Sequence, residues 1–200
     1  QDMRKMGGLW RTIPVTYMVM WVGSLALAGI WPFAGFFSKD TILEAAYAAG
    51  SGVGDYAFWM GILAAFLTAF YSWRLLIMTF HGALRADETT MAHVHESPKV
   101  MLVPLLFLAA GALFAGYIGF EAFVGKAAAG FWGQSILVLP AHPALENAHH
   151  VPTWVKLLPL IVAFGGIALA YVMYVAAPGL PAAVADRFRG VHPFPLKEWD

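Results

Sequence analysis

The chain has 200 residues, 12 Lys or Arg against 12 Asp or Glu for a formal net charge of zero, and 60% hydrophobic residues with only 12% charged, about half the charged share of an ordinary soluble domain. That balance excludes an electrostatic nucleic-acid binder, and the absence of cysteine excludes disulfides, thiolate metal sites and a cysteine nucleophile. A soluble helical protein with an outsized core is excluded as well, because several apolar runs of about 20 residues cannot all be buried under a solvated surface in a chain this short. The composition is that of an integral membrane protein. No initiator Met or signal-peptide pattern opens the chain at Gln1, and it stops abruptly after Trp199 and Asp200. We therefore expect a fragment of a longer polypeptide.

Charge-free apolar runs predict an all-α, polytopic transmembrane helix bundle with about four spans. The first lies between Thr12 and Ser38 and, with the helix-compatible residues after it, covers 14–49 with a break near 29–35. The others cover 56–80, 100–120 and 157–177, and residues 178–200 form a polar cytoplasmic tail leading out of the fragment. Pro104 and Pro159 fall in the first turns of the third and fourth spans, where a missing N–H does little harm. The connections are a short Gly/Ser loop (Ala49 to Asp55), a polar loop (His81 to Lys99) and a longer segment rich in Pro and His (Glu121 to Thr153).

Four spans put the N-terminal segment, the second loop and the tail on one side. That side carries Arg4, Lys5, Arg11, Arg85, Lys99, Arg187, Arg189 and Lys197, whereas the other carries only Lys126 and Lys156. The positive-inside rule makes the first side cytoplasmic. Trp10, Trp21, Trp59, Trp132 and Trp154 lie mostly near span ends, as interface aromatics do.

The first span is too long to be straight. From Thr12 to Ser38 there are 27 residues, and the helical pattern continues beyond, well past one crossing at 1.5 Å per residue. The interruption is Gly29-Ile30-Trp31-Pro32-Phe33-Ala34-Gly35: Pro32 removes a donor and clashes with the preceding turn, while Gly29 and Gly35 loosen either side. A second half-helix is then expected from near Phe36. Unwound backbone is tolerated at membrane depth where it is buried in protein or lines a hydrated cavity, and paired half-helices build ion sites in secondary transporters. Lys39, Asp40 and Glu44 follow the break directly. Spacing alone leaves two placements open for them, within the membrane as working groups or at its surface as charges capping a re-entrant stub.

The residues GIWPFAGFFSKDTIL, preceded by QDMRKMGGL and followed by FYSWRL, FHG and HESP, resemble the C-terminal part of the largest antiporter-like membrane subunits of proton-pumping NADH:quinone oxidoreductase, respiratory complex I. The match is close over Asp2 to Leu43 and Ala69 to Gly82, and rests on order alone from Gly125 to Pro152. The resemblance implies that Lys39 is a protonatable residue of the proton path, near its exit side, with Asp40 as its electrostatic partner. It implies no cofactor in this chain, flavin and iron–sulfur clusters in partner subunits, and other membrane and peripheral subunits of the complex as partners in a lipid bilayer. The bacterial inner membrane, or the mitochondrial inner membrane in a eukaryote, is the expected location. Two departures stand out: Trp31 replaces a proline common in the family, and Thr41 replaces an acidic residue often found after the aspartate. The large Mrp-type Na⁺/H⁺ antiporter subunit carries a close variant of the motif, and a bundle that merely anchors its neighbours is a third reading.

The chemistry suits a lysine. Taking an ammonium out of water makes its proton easier to lose, while a nearby carboxylate holds the proton in place, so re-pairing Asp40 or Glu44 would alter proton affinity. In the second span Gly61, Ala64, Ala65, Thr68 and Ser72 recur at helical spacing as a close-packing surface. Arg74, with Tyr71 and Thr68 one turn away, and His81 at the end of that span are secondary candidates for the proton path; simple packing and an interfacial role are their plainer readings. His93 and His95, and the pair His149 and His150, lie in polar loops without further ligands at a diagnostic spacing, so no metal site is assigned. Glu121 reads as an interface charge.

Overall fold

The computed structural model describes residues 2–136 and 143–187. The cytoplasmic tail expected over 178–200 is therefore described only to residue 187, and Arg189 and Lys197 lie outside the described residues. After two short 3-10 turns the helices are α1 (Pro14–Ala28), α2 (Ala34–Ala48), α3 (Gly52–Phe80), α4 (Glu88–Met91), α5 (Lys99–Phe123), α6 (Ala128–Trp132), α7 (Ala144–Ala148), α8 (Thr153–Tyr171) and α9 (Leu180–Arg187), and a π-helical turn over Val172–Ala176 extends α8. No strand occurs among the described residues.

Helices α3, α5 and α8 with its π extension are long and apolar enough to cross a membrane. Helices α1 and α2 have 15 residues each, about 22 Å of rise apiece. Each falls short of a hydrocarbon core of about 30 Å, so the first span is a discontinuous helix. The fourth span starts four residues before its apolar run, whereas the third starts only one residue before. Pro98 and Pro152 are the N-caps of α5 and α8, and in α8 a first turn carrying Thr153 and Lys156 precedes the apolar run. Pro104 and Pro159 both sit inside the helices, Pro104 one residue deeper than expected and Pro159 about one turn deeper.

The core forms where small residues let helices approach. Helix α3 packs along α8, with Ala69 on one and Ala163 and Ala170 on the other fully buried. A Cβ at Gly166 would fall on the Phe66 carbonyl, so α8 meets the backbone of α3 at that point. Of the expected small-residue stripe, Ala65 and Ser72 are buried and Gly61 receives the Leu43 side chain, but Ala64 faces outward. A second cluster of Leu43, Phe58, Ile62 and Val155 ties α2 to α3 and α8, capped by edge-on contacts among Tyr47, Phe58 and Trp154. Helix α5 buries only Gly116, against which the Phe37 ring of α2 lies. These contacts hold α2 on two sides, at Phe37 near its start and at Leu43 and Tyr47 toward its end.

Candidate functional site at the helix break

The end of α1 is set by glycine. Gly29 takes φ 74, in the left-handed region, and the Ile30 N–H reaches back to the Leu25 carbonyl at 3.2 Å while the Gly29 N–H bonds Ala26 at 3.1 Å. This is a Schellman-type stop. It leaves the Ala28 carbonyl to an outside donor, and the Lys39 ammonium fills that role, reaching back from α2 across the break. The carbonyl end of a helix carries partial negative charge, so an ammonium there is favourable. Gly29 is needed twice over, because a Cβ at this position would stand 2.7 Å from Lys39 Nζ and nearer still to Cε.

Gly35 acts differently from the expectation. It lies inside α2 rather than in the unwound segment, and a Cβ there would collide with the Ala26 carbonyl. Its small size brings the first turn of α2 against the last turn of α1. Pro32 stays in the non-helical link, as the break requires.

Asp40 is 7% exposed and its Oδ1 has no hydrogen-bond partner. It makes no direct ion pair with Lys39, because neighbouring residues project about 100° apart on a helix and the ammonium is drawn to Ala28. Influence between the two is therefore exerted through space. Asp40 and Glu44, one turn apart, line one cavity of about 390 Å³ between α2, α5 and α8, together with His149 and Lys156. Lys156 Nζ donates to the His149 carbonyl at 3.0 Å, which pins the end of α7 to the start of α8.

Arg74 and His81 are not brought to the break. The Arg74 guanidinium lies 5.7 Å from the centre of the Tyr174 ring. His81 follows the last residue of α3, its Nε2 2.8 Å from Tyr17 Oη, near the opposite end of α1. Burial holds this imidazole below the ordinary histidine range. One structural group escaped sequence reading: Glu96 accepts hydrogen bonds from the Val15 N–H (2.8 Å), the Thr16 N–H (3.2 Å) and the Thr16 hydroxyl, capping the start of α1 from 80 residues away. The only local sign was an acid in the HESP loop. His149 and Lys156 were legible as loop charges, and nothing in their spacing points to Glu44.

Residues 1–68 match the family model described as NADH:quinone oxidoreductase/Mrp antiporter, transmembrane. The chain is 45% identical over 174 residues to NADH-quinone oxidoreductase subunit L of Rickettsia bellii and 44% identical over 174 residues to NADH-ubiquinone oxidoreductase chain 5 of Phytophthora infestans, in each case over 87% of this chain and 26% of the relative. It is 32% identical to subunit L of Rhodobacter capsulatus in an alignment covering 100% of this chain and 37% of that protein. The chain thus spans about a quarter to a third of the length of these curated relatives. Broken helix, flanking motifs and relatives agree that this chain is related to the antiporter-like membrane subunits of NADH:quinone oxidoreductase.

Proposed function

We propose that the protein translocates protons across the membrane as an antiporter-like subunit of NADH:quinone oxidoreductase, the NADH oxidation and quinone reduction being carried out by partner subunits that hold flavin and iron–sulfur clusters. The membrane is the bacterial inner membrane or its mitochondrial counterpart. The observation that carries the reading is the Lys39 ammonium laid across a helix break, next to a buried carboxylate with an unpartnered oxygen. A structural capping pair would be fully satisfied by hydrogen bonds. Here one protonatable cation has a single backbone acceptor, and a buried acid beside it has bonding capacity to spare. A charge arriving from upstream, or a change in protonation of Asp40 or Glu44, alters the proton affinity of the ammonium. Lys39 then passes its proton on, is left neutral, and is reprotonated from the other direction. No redox step in this chain is required.

The test is Lys39→Ala in the full-length subunit within its assembled complex, reconstituted into vesicles. The expected result is NADH oxidation whose coupled proton transport is lost or strongly reduced. An assembled variant pumping at the unaltered rate contradicts the proposal and leaves an anchoring role. The family description also names Mrp antiporters, so Na⁺/H⁺ exchange is the second reading. Sodium-dependent exchange without NADH oxidation would favour it.

A further inference from the structure

Two cavities share part of their lining. The inner one, of about 390 Å³, holds Asp40, Glu44 and Lys156. The outer one, of about 790 Å³, lies beside α6 and α7 and holds Glu121, Lys126 and Glu146. Phe120 and His149 are the two residues that line both. Phe120 carries no proton, so His149 is the titratable side chain common to them. It is exposed, and its own carbonyl is held by Lys156 at 3.0 Å.

We propose that His149 is a proton-relay residue that hands protons from the cavity at Asp40 and Glu44 to the outer cavity on the side of the bilayer bearing α6 and α7. This rests on the proton-translocating reading above and extends it to residues that the motif around Lys39 does not contain. The inner cavity has room for several waters at about 30 Å³ each, and Asp40 and Glu44 are about 6 Å apart along α2 at 1.5 Å per residue. The proton released by the ammonium protonates the Glu44 carboxylate, directly through water or by way of Asp40. The resulting carboxylic acid gives it to the neutral imidazole of His149. The imidazolium releases it into the outer cavity and returns to the neutral state, so one proton enters and one leaves. Imidazole suits this step because one ring nitrogen can accept a proton while the other gives one up. Six charged groups line the two cavities with His149: Asp40 and Glu44 from α2, Lys156 from α8, Glu121 from α5, Lys126 from the turn after it, and Glu146 from α7. Lys156 acts as a positioning residue, holding the α7 terminus so that the imidazole stays between the two cavities.

The experiment compares His149→Ala with Lys39→Ala in the full-length subunit in its assembled complex, reconstituted so that the α7 side is reachable by solute. Proton transport per NADH oxidised is followed against pH, with and without added imidazole. His149→Ala is expected to lower the flux about tenfold or more and to remove the histidine limb of its pH profile, and millimolar imidazole on the α7 side should restore much of it. Lys39→Ala should be refractory to imidazole. Unchanged flux and pH profile in His149→Ala overturn the relay while a dead Lys39→Ala leaves the proposed function intact. A depressed His149→Ala that imidazole does not rescue makes the residue merely structural and also overturns it. A Lys39→Ala complex that pumps normally removes both readings.

Discussion

Helix α1 is held at both ends by a charged side chain from elsewhere in the chain, and the two ends are held differently. At its start, the Glu96 carboxylate accepts three hydrogen bonds, from two backbone amides and a hydroxyl. At its finish, the Lys39 ammonium makes one bond, to the Ala28 carbonyl. Both satisfy the helix dipole, with the acid at the positive end and the base at the negative end. Glu96 accepts from several fixed donors, so it behaves as a clamp. Lys39 has one fixed partner and a buried, incompletely bonded carboxylate beside it. The same capping logic gives a static joint at Glu96 and, on the proposed function, an exchangeable one at Lys39.

The largest effect expected on this comparison comes from forcing the two half-helices apart. Gly35→Ala drives a Cβ into the Ala26 carbonyl, where backbone cannot yield as a flexible side chain would. A loss of about 3 kcal/mol, read as a lower unfolding temperature and loss of proton transport, is expected. Gly111→Ala, inside α5 with nothing within 4 Å, should leave proton transport unchanged and not lower the unfolding temperature. A stable, active Gly35→Ala would show that the close approach at the break is dispensable.

Next in size is the clamp at the other end. Glu96→Ala should cost about 1–2 kcal/mol of thermal stability and leave the proton chemistry at Lys39 working once the protein is folded. Burial opposes the charge of Glu96, and the hydrogen bonds from Thr16, Val15 and Ser97 outweigh it, so the carboxyl sits below its ordinary value of 4.5. A group whose pKa falls on folding contributes stability that is present above the unfolded value and lost as pH drops through the folded one. Acidification below about 4.5 should therefore erode the stability difference between the wild type and Glu96→Ala, as unfolding scans against pH will show. A difference that persists at low pH would mean that the contact does not depend on the carboxylate charge.

The smallest effect is at the His81 end. Tyr17→Phe removes the hydroxyl that lies 2.8 Å from His81 Nε2 but keeps the ring contacts to Phe80 and Trp21. About 1 kcal/mol and no change in proton transport are expected from unfolding and vesicle assays. A clear transport defect would return His81 to the proton path.

The break itself was legible because it follows from arithmetic: too many apolar residues for one crossing, with a proline and two glycines in the middle. Its finer roles were not. Gly35 was read as a loosening residue, because a sequence shows that a side chain is missing without showing what stands where it would be. The start of α8 was placed a turn late because an apolar run marks the hydrocarbon, whereas the helix continues into the turn that follows Pro152. Glu96 and His149 lie beyond local reading for a different reason. Glu96 meets residues 80 positions away and His149 faces Glu44 from across a loop, so only the packed structure assigns their partners.

The central claim is that Lys39 works by giving up a proton rather than by supplying a positive cap to α1. Lys39→Arg separates the two, because a guanidinium keeps the charge and can reach a carbonyl but does not deprotonate in proteins. With the assembled complex in vesicles, the account predicts that Lys39→Arg folds and oxidises NADH but loses coupled proton transport as Lys39→Ala does. Proton transport at the wild-type rate in Lys39→Arg would contradict it and leave the lysine a structural cap.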